Sequence, residues 1–238
     1  MTKYKINFSL LLTLSYFIIQ TGELPLHSAE KSLNFKKQNF FIKKEYISRK
    51  KYHQFNDTKY EDQYQDEVYK AAFELASKQS CYKIADIGCG SGFKLIKYFK
   101  NFDTIGFDLE PSFSFLKTRY PDRKWVLSDF SLQDNLMDFD LIICSDVIEH
   151  LLNPDELLNW INNLNFKYLV ISTPDRDLLA KKLRKPQVKK GPPVNKHHIR
   201  EWNFAEFNQY ISQFFNVIDH FHTKKEWWGQ TIIATKKH

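Results

Sequence analysis

From Lys83 onward the chain alternates short apolar blocks with stretches of helical spacing. Lys83–Ile87, Thr104–Asp108, Trp125–Leu127, Phe139–Cys144 and Tyr168–Ser172 are the apolar blocks, and their length predicts strands. Between them, Phe93–Phe99 predicts a helix with Leu95, Ile96 and Phe99 inward. Pro111 opens another that reaches Arg119, and Asn153-Pro154-Asp155-Glu156 starts a third that runs to about Leu164. Proline suits a first turn, where its missing N–H is not needed. A helix from about Glu61 to Ser77 precedes the series, with Tyr64, Val68, Ala71, Ala72 and Leu75 at helical spacing. Repeated strand–helix units of this length imply a parallel sheet with helices on both faces.

The ending breaks that rhythm. Phe204–Phe214 predicts a helix, and Val217–His222 and Gln230–Thr235 predict two strands joined by a short connection through Gly229. A short link forces antiparallel pairing. The expected fold is therefore α/β, with seven strands: five parallel, then a C-terminal antiparallel hairpin, over residues 61–238. Residues 30–60 are polar, basic and aromatic without a clean period, and predict an irregular extension.

Composition narrows the class. With 238 residues, 42% of them hydrophobic and 26% charged, the chain can bury one good-sized core. The net charge of +7 allows an anionic partner, but exposed lysines also serve solubility alone. Cys81, Cys89 and Cys144 form no CxxC pair, so reduced thiols are expected, with no disulfide framework and no metal site.

At the start of the chain, Lys3 and Lys5 precede the apolar run Phe8–Ile19. The run is too short to span a bilayer comfortably, but it suits a signal-peptide core. Ala29 could end a cleavage site, although His27 is a poor residue two positions before it. Residues 1–29 are read as a separate apolar segment, either a signal or an anchor, with membrane association through residues 6–19. The alternative is an interfacial or buried helix.

Chemistry concentrates in one loop. Three of the seven glycines, Gly88, Gly90 and Gly92, lie in Asp86-Ile87-Gly88-Cys89-Gly90-Ser91-Gly92, between a predicted strand and a predicted helix. Such glycines let the backbone turn tightly and a ligand approach closely, with loop amides and a helix N-terminus turned towards it. A dinucleotide fingerprint, GxGxxG, would need glycine where Phe93 stands. The pattern DxGxGxG is met in full and resembles the class I methyltransferases, which hold S-adenosyl-L-methionine there in a Rossmann-like sheet. An acid at Asp86 suits a ligand bearing an ammonium group and repels a pyrophosphate.

The resemblance implies further cofactor contacts. Cys89 lies within the loop. Asp108, twenty residues after Gly88, would accept from both ribose hydroxyls. Asp129 would accept from the adenine amino group, with Phe130 against the ring. Ser145 and Asp146 would lie near the methionine end, because ligands of open sheets sit beyond strand ends where strand order reverses. The run Asp146-Val147-Ile148-Glu149-His150-Leu151 resembles family members that act on small molecules and saccharides.

Glu149 and His150 are candidates to take a proton from an acceptor hydroxyl. The competing reading of His150 is a packed residue at a helix start. No Asn/Asp-Pro-Pro-aromatic turn follows the fourth strand, which disfavours methylation of nucleic-acid amino groups. The connection Asp175–Arg200 is long and basic, the form of a functional loop or lid. His198, Arg200 and Trp202 resemble a His-x-Arg-x-Trp segment of bacterial methyltransferases that accompany glycosyltransferases. They imply an alternative base at His198, an anion clamp at Arg200 and a sugar-stacking ring at Trp202. The plainer reading is a solvated basic loop with Trp202 packed.

The expectation is a cytoplasmic S-adenosylmethionine-dependent methyltransferase acting on a small molecule or saccharide. RNA as substrate and a non-catalytic cofactor-binding scaffold are the alternatives.

Overall fold

Five parallel strands, β1 (Lys83–Ile87), β2 (Asp103–Asp108), β3 (Lys124–Leu127), β4 (Asp138–Ser145) and β5 (Asn165–Pro174), join an antiparallel pair, β6 (Phe215–His222) and β7 (Gly229–Lys236). They form one sheet in the order β3-β2-β1-β4-β5-β7-β6. The helices among the described residues are α1 (Asp66–Lys78), α2 (Phe93–Phe99), α3 (Ser112–Arg119), α4 (Pro154–Asn163), α5 (Arg176–Lys182) and α6 (Phe204–Phe214). The computed structural model describes residues 39–51, 53, 56, 58, 64–128, 138–223 and 228–237. The chain divides after Phe40, and the unit considered below is residues 41–238. The apolar segment 1–29, Asp129 and Phe130 lie outside the described residues. Among the described residues no helix is long and apolar enough to cross a membrane.

Register explains why both faces carry helices. Ile84 pairs with Thr104, so Phe107, three residues further on, points to the opposite side. On the Ile84 side, α1 and α2 bury Val68, Tyr69, Ala72, Leu95 and Phe99 against Leu141, Ile143 and Val170. On the Phe107 side, Trp160 of α4 meets Phe107 edge-on at 5.6 Å. Each such fully buried aliphatic or aromatic side chain contributes about 1.5–3 kcal/mol.

Two segments differ from the sequence reading. The connection after β5 is not a bare loop. It holds α5, capped by Asp175, whose carboxylate accepts from the amides of Asp177 (2.7 Å) and Leu178 (3.0 Å), and a short 3-10 turn at Pro186–Lys190. Dense lysines hide the half-apolar face that Leu179, Ala180 and Val188 bury. The extension before α1 is irregular, but part of it is bonded to that same connection. Ile47 donates its amide to Lys190 (2.9 Å), Arg49 donates its amide to Ile199 (2.7 Å), and the Tyr46 hydroxyl accepts from the Glu201 amide (3.1 Å).

Candidate active site

Strand order reverses at β1, which pairs β2 on one side and β4 on the other. The crevice beyond their carboxyl ends is where an open sheet binds ligands. Gly88, Gly90 and Gly92 have φ of +68°, +56° and +69°, the left-handed region that glycine enters without penalty. A Cβ on Gly88 would lie 2.4 Å from Val147 Cγ2, so the loop backbone touches the end of β4 directly.

The loop amides do not behave as the sequence suggests. Gly88 and Cys89 donate to the Phe107 carbonyl at 2.8 and 3.2 Å, Gly92 donates to Cys89 at 2.9 Å, and Gly90 donates to Asp108 Oδ2 at 2.7 Å. The loop curls back over the end of β2, and amides buried there need partners. The cradle therefore offers shape, with these four donors spent on holding it.

The acids line the same crevice. Asp108 Oδ1 also accepts from Leu109 N (2.7 Å), so its carboxylate is fixed at the end of β2. Asp86 is fully buried and accepts from the Tyr69 hydroxyl at 2.9 and 3.1 Å, which ties it to α1. Asp146 sits at φ +54°, and its Oδ1 accepts from Ser172 Oγ at 2.7 Å. Ser145 Oγ lies 2.9 Å from the same hydroxyl. Burial raises the Asp146 pKa. Asp146 and Ser172 line a cavity of about 10 Å³ with Gln65 and Val68, so the start of α1 covers this end of the crevice. A narrow glycine cradle with one acid at the end of β2 and another after β4 fits a nucleoside cofactor with a polar tail.

Beyond Asp146 three candidate bases come together. Glu149 is fully buried; its Oε2 accepts from Thr173 Oγ1 (3.1 Å), and among the described residues its Oε1 has no hydrogen-bond partner. His150 Nε2 lies 3.9 Å from that oxygen and His198 Nε2 lies 4.0 Å from it. The two rings meet edge to face at 4.9 Å. His150 Nδ1 faces the His197 carbonyl at 3.1 Å, and His198 Nδ1 faces Glu201 Oε1 at 2.7 Å. Burial, then the neighbouring His198, lowers the His150 pKa to about 3, while burial and the Asp146 charge push Glu149 well above the usual carboxylate range.

A family model described as a methyltransferase domain matches residues 56–225. The chain belongs to this methyltransferase family. No curated protein sequence matches it. Solved structures share the fold at low identity. A Clostridium acetobutylicum S-adenosylmethionine-dependent methyltransferase is 14% identical, with a TM-score of 0.56 over 74% of this chain and 93% of that one. Magnesium protoporphyrin IX methyltransferase from Synechocystis, with S-adenosylhomocysteine bound, is 14% identical, with a TM-score of 0.57 over 87% and 95%. The N-methyltransferase NodS of Bradyrhizobium japonicum, also in complex with S-adenosylhomocysteine, is 14% identical, with a TM-score of 0.56 over 77% and 94%. The protein is thus an S-adenosylmethionine-dependent methyltransferase of the Rossmann-like class. S-adenosylmethionine supplies an electrophilic methyl group on a sulfonium.

Two substrate contacts expected from the methyltransferase sequence are corrected. Arg200 is 4% exposed, and its guanidinium donates to the carbonyls of Leu151 (2.7 Å) and Leu152 (2.8 Å). Trp202 is fully buried and stacks on Tyr210, with ring centroids 5.5 Å apart. Arg200 is used to dock the connection after β5 against the segment that follows β4, and Trp202 to pack that connection against α6.

Sequence reasoning missed Glu201, Thr173, Ser172, Tyr69 and Val147. Glu201 stands three residues after His198, a readable spacing. The others gain meaning only from strand pairing, as where Ser145 pairs with Ser172.

Proposed function

We propose that the enzyme transfers the methyl group to a hydroxyl of a small molecule or saccharide. The carrying observation is the convergence of Glu149, His150 and His198 next to Asp146, at the end of the crevice where the donor's methionine part would lie. A hydroxyl that attacks the methyl must lose its proton as the new C–O bond forms and the sulfonium C–S bond breaks. His150, neutral and weakly basic, is a poor acceptor of that proton. His198 suits the task, since Glu201 Oε1 lies 2.7 Å from its Nδ1 and fixes the orientation of the ring. In-line positioning by the crevice supplies the rest of the acceleration.

A groove of about 510 Å³ on the connection after β5 is lined by Lys181, Arg184 and Lys189, with Asp177 among them. That charge favours an acceptor carrying phosphate or carboxylate, such as a nucleotide-linked or lipid-linked saccharide, and it also favours RNA as a second reading.

The test is incubation of labelled donor with fractionated extract and NMR of the labelled product. An O-methyl saccharide or small molecule supports the proposal. Label on nitrogen overturns it, label in RNA establishes the second reading, and cofactor binding without transfer to any fraction identifies a scaffold.

A further inference from the structure

The Glu149–His150–His198 cluster has the construction of a metal centre, and we propose that it binds one divalent first-row transition ion. The three side chains place a carboxylate oxygen and two imidazole nitrogens within 4.8 Å of one another. Each is fixed from behind. Thr173 holds the other oxygen of Glu149, the His197 carbonyl faces Nδ1 of His150, and the Glu201 carboxylate faces Nδ1 of His198. A proton on each Nδ1 leaves the Nε2 lone pairs turned towards Glu149 Oε1. Backbone and carboxylate partners on the far ring nitrogen are the usual outer support of metal-bound histidines.

A second observation points to a ligand. Glu149 Oε1 is buried, at 0% side-chain exposure, without a hydrogen-bond partner among the described residues, and it lies 3.9 and 4.0 Å from the two Nε2 atoms. Leaving a carboxylate oxygen dry and unmatched is costly, and a cation between these atoms removes the cost. Ligands held at roughly 2.0–2.2 Å from an ion sit about 3.0–3.6 Å apart, so the observed 3.9 and 4.0 Å must close by about half an ångström, and a separation at the cluster's 4.8 Å limit by about 1 Å or more. Asn195 Nδ2 lies 2.9 Å from His198 Nε2, and the ion must take that lone pair from it.

Two imidazoles with one carboxylate suit zinc, manganese, iron or cobalt and do not suit magnesium or calcium, which favour all-oxygen shells. Three protein ligands leave positions open for water or an acceptor oxygen. With the ion in place, acidifying an acceptor hydroxyl passes from His198 to the metal. The binding itself stands whatever the acceptor is.

The test uses the full chain, stripped by chelator and titrated with Co²⁺, read by its visible absorption bands, with zinc competition and excess Mg²⁺ as control. We expect one equivalent bound, displaced by zinc and not by magnesium. Glu149→Gln and His198→Ala should each weaken binding at least tenfold, Glu201→Gln by about 10–100-fold, and His220→Gln not at all. S-adenosylhomocysteine binding by each variant reports that it folds. Where a variant does not fold, X-ray absorption of the wild-type zinc form decides by counting imidazoles. Fewer than two imidazoles, no stoichiometric ion, or binding undiminished in the folded Glu149 and His198 variants would overturn the proposal.

Discussion

The Ile199 amide donates to the Glu149 carbonyl at 2.7 Å, and that bond joins the connection after β5 to the end of β4. It sets His198 beside Glu149, and Arg200 reinforces it from the next position through the carbonyls of Leu151 and Leu152.

Arg200 therefore acts on stability and on the placement of His198. Arg200→Met removes two charge-assisted bonds and should destabilise the protein by about 2–4 kcal/mol in urea unfolding. Arg200→Lys should not restore it, because one ammonium cannot match a fork aimed at two carbonyls. S-adenosylhomocysteine affinity, measured by calorimetry on the folded fraction, should stay within threefold of wild type. A large loss of cofactor affinity with unchanged stability would contradict this role.

Asp108 shapes the cradle through the Gly90 amide as well as facing the crevice. Asp108→Ala should lower S-adenosylhomocysteine affinity at least tenfold, because it loses both the loop anchor and the ribose acceptor. Asp108→Asn keeps an oxygen for Gly90 and should recover part of the loss. Equal affinity of Asp108→Ala and wild type by calorimetry would remove Asp108 from the site.

Gly88 allows no side chain. Gly88→Ala forces a left-handed residue and a Cβ against Val147 Cγ2, at a cost of about 1–3 kcal/mol. The melting temperature should fall, and cofactor binding should weaken with it. Adding Val147→Ala opens the space but leaves the backbone strain, so the double variant should recover only part of the stability.

His220 gives the fold a predictable response to acid. Its ring stacks on Phe204 at 3.5 Å, and its Nε2 lies 3.1 Å from Gln230 Oε1. Burial lowers its pKa to about 4 from the ordinary 6.5. Between those values the unfolded chain binds a proton that the folded one refuses, so stability falls as pH drops from 6.5 towards 4. Partial exposure keeps the slope below the roughly 1.4 kcal/mol per pH unit of a full proton. Urea unfolding at pH 7, 6 and 5 should show a shallower decline for His220→Gln than for wild type. Parallel profiles would show that another group governs it.

Much of this was legible in the chain. Helix and strand periods are local, so the seven strands and the closing hairpin could be read from residues a few positions apart. The glycine loop was legible for a similar reason, since positive φ at Gly88, Gly90 and Gly92 is demanded by a turn of fixed length. What the sequence could not supply was the destination of polar groups. The loop amides could equally have faced a ligand, and Arg200 and Trp202 look like surface chemistry in any one-dimensional reading. α5 was missed because its lysines outnumber the few residues it buries.

By itself, then, the sequence determined the sheet, the glycine turn after β1 and the methyltransferase family, because those rest on short-range spacing and on residue types a backbone cannot do without. Only the tertiary structure decided which polar groups are spent inside the fold. It buried Arg200 and Trp202, turned the loop amides onto β2, and carried His198 across to Glu149 and His150. Such meetings are fixed by the packing of segments far apart in the chain, where buried donors and acceptors need partners, and among the described residues Glu149 Oε1 and Glu201 Oε2 are buried carboxylate oxygens still without one.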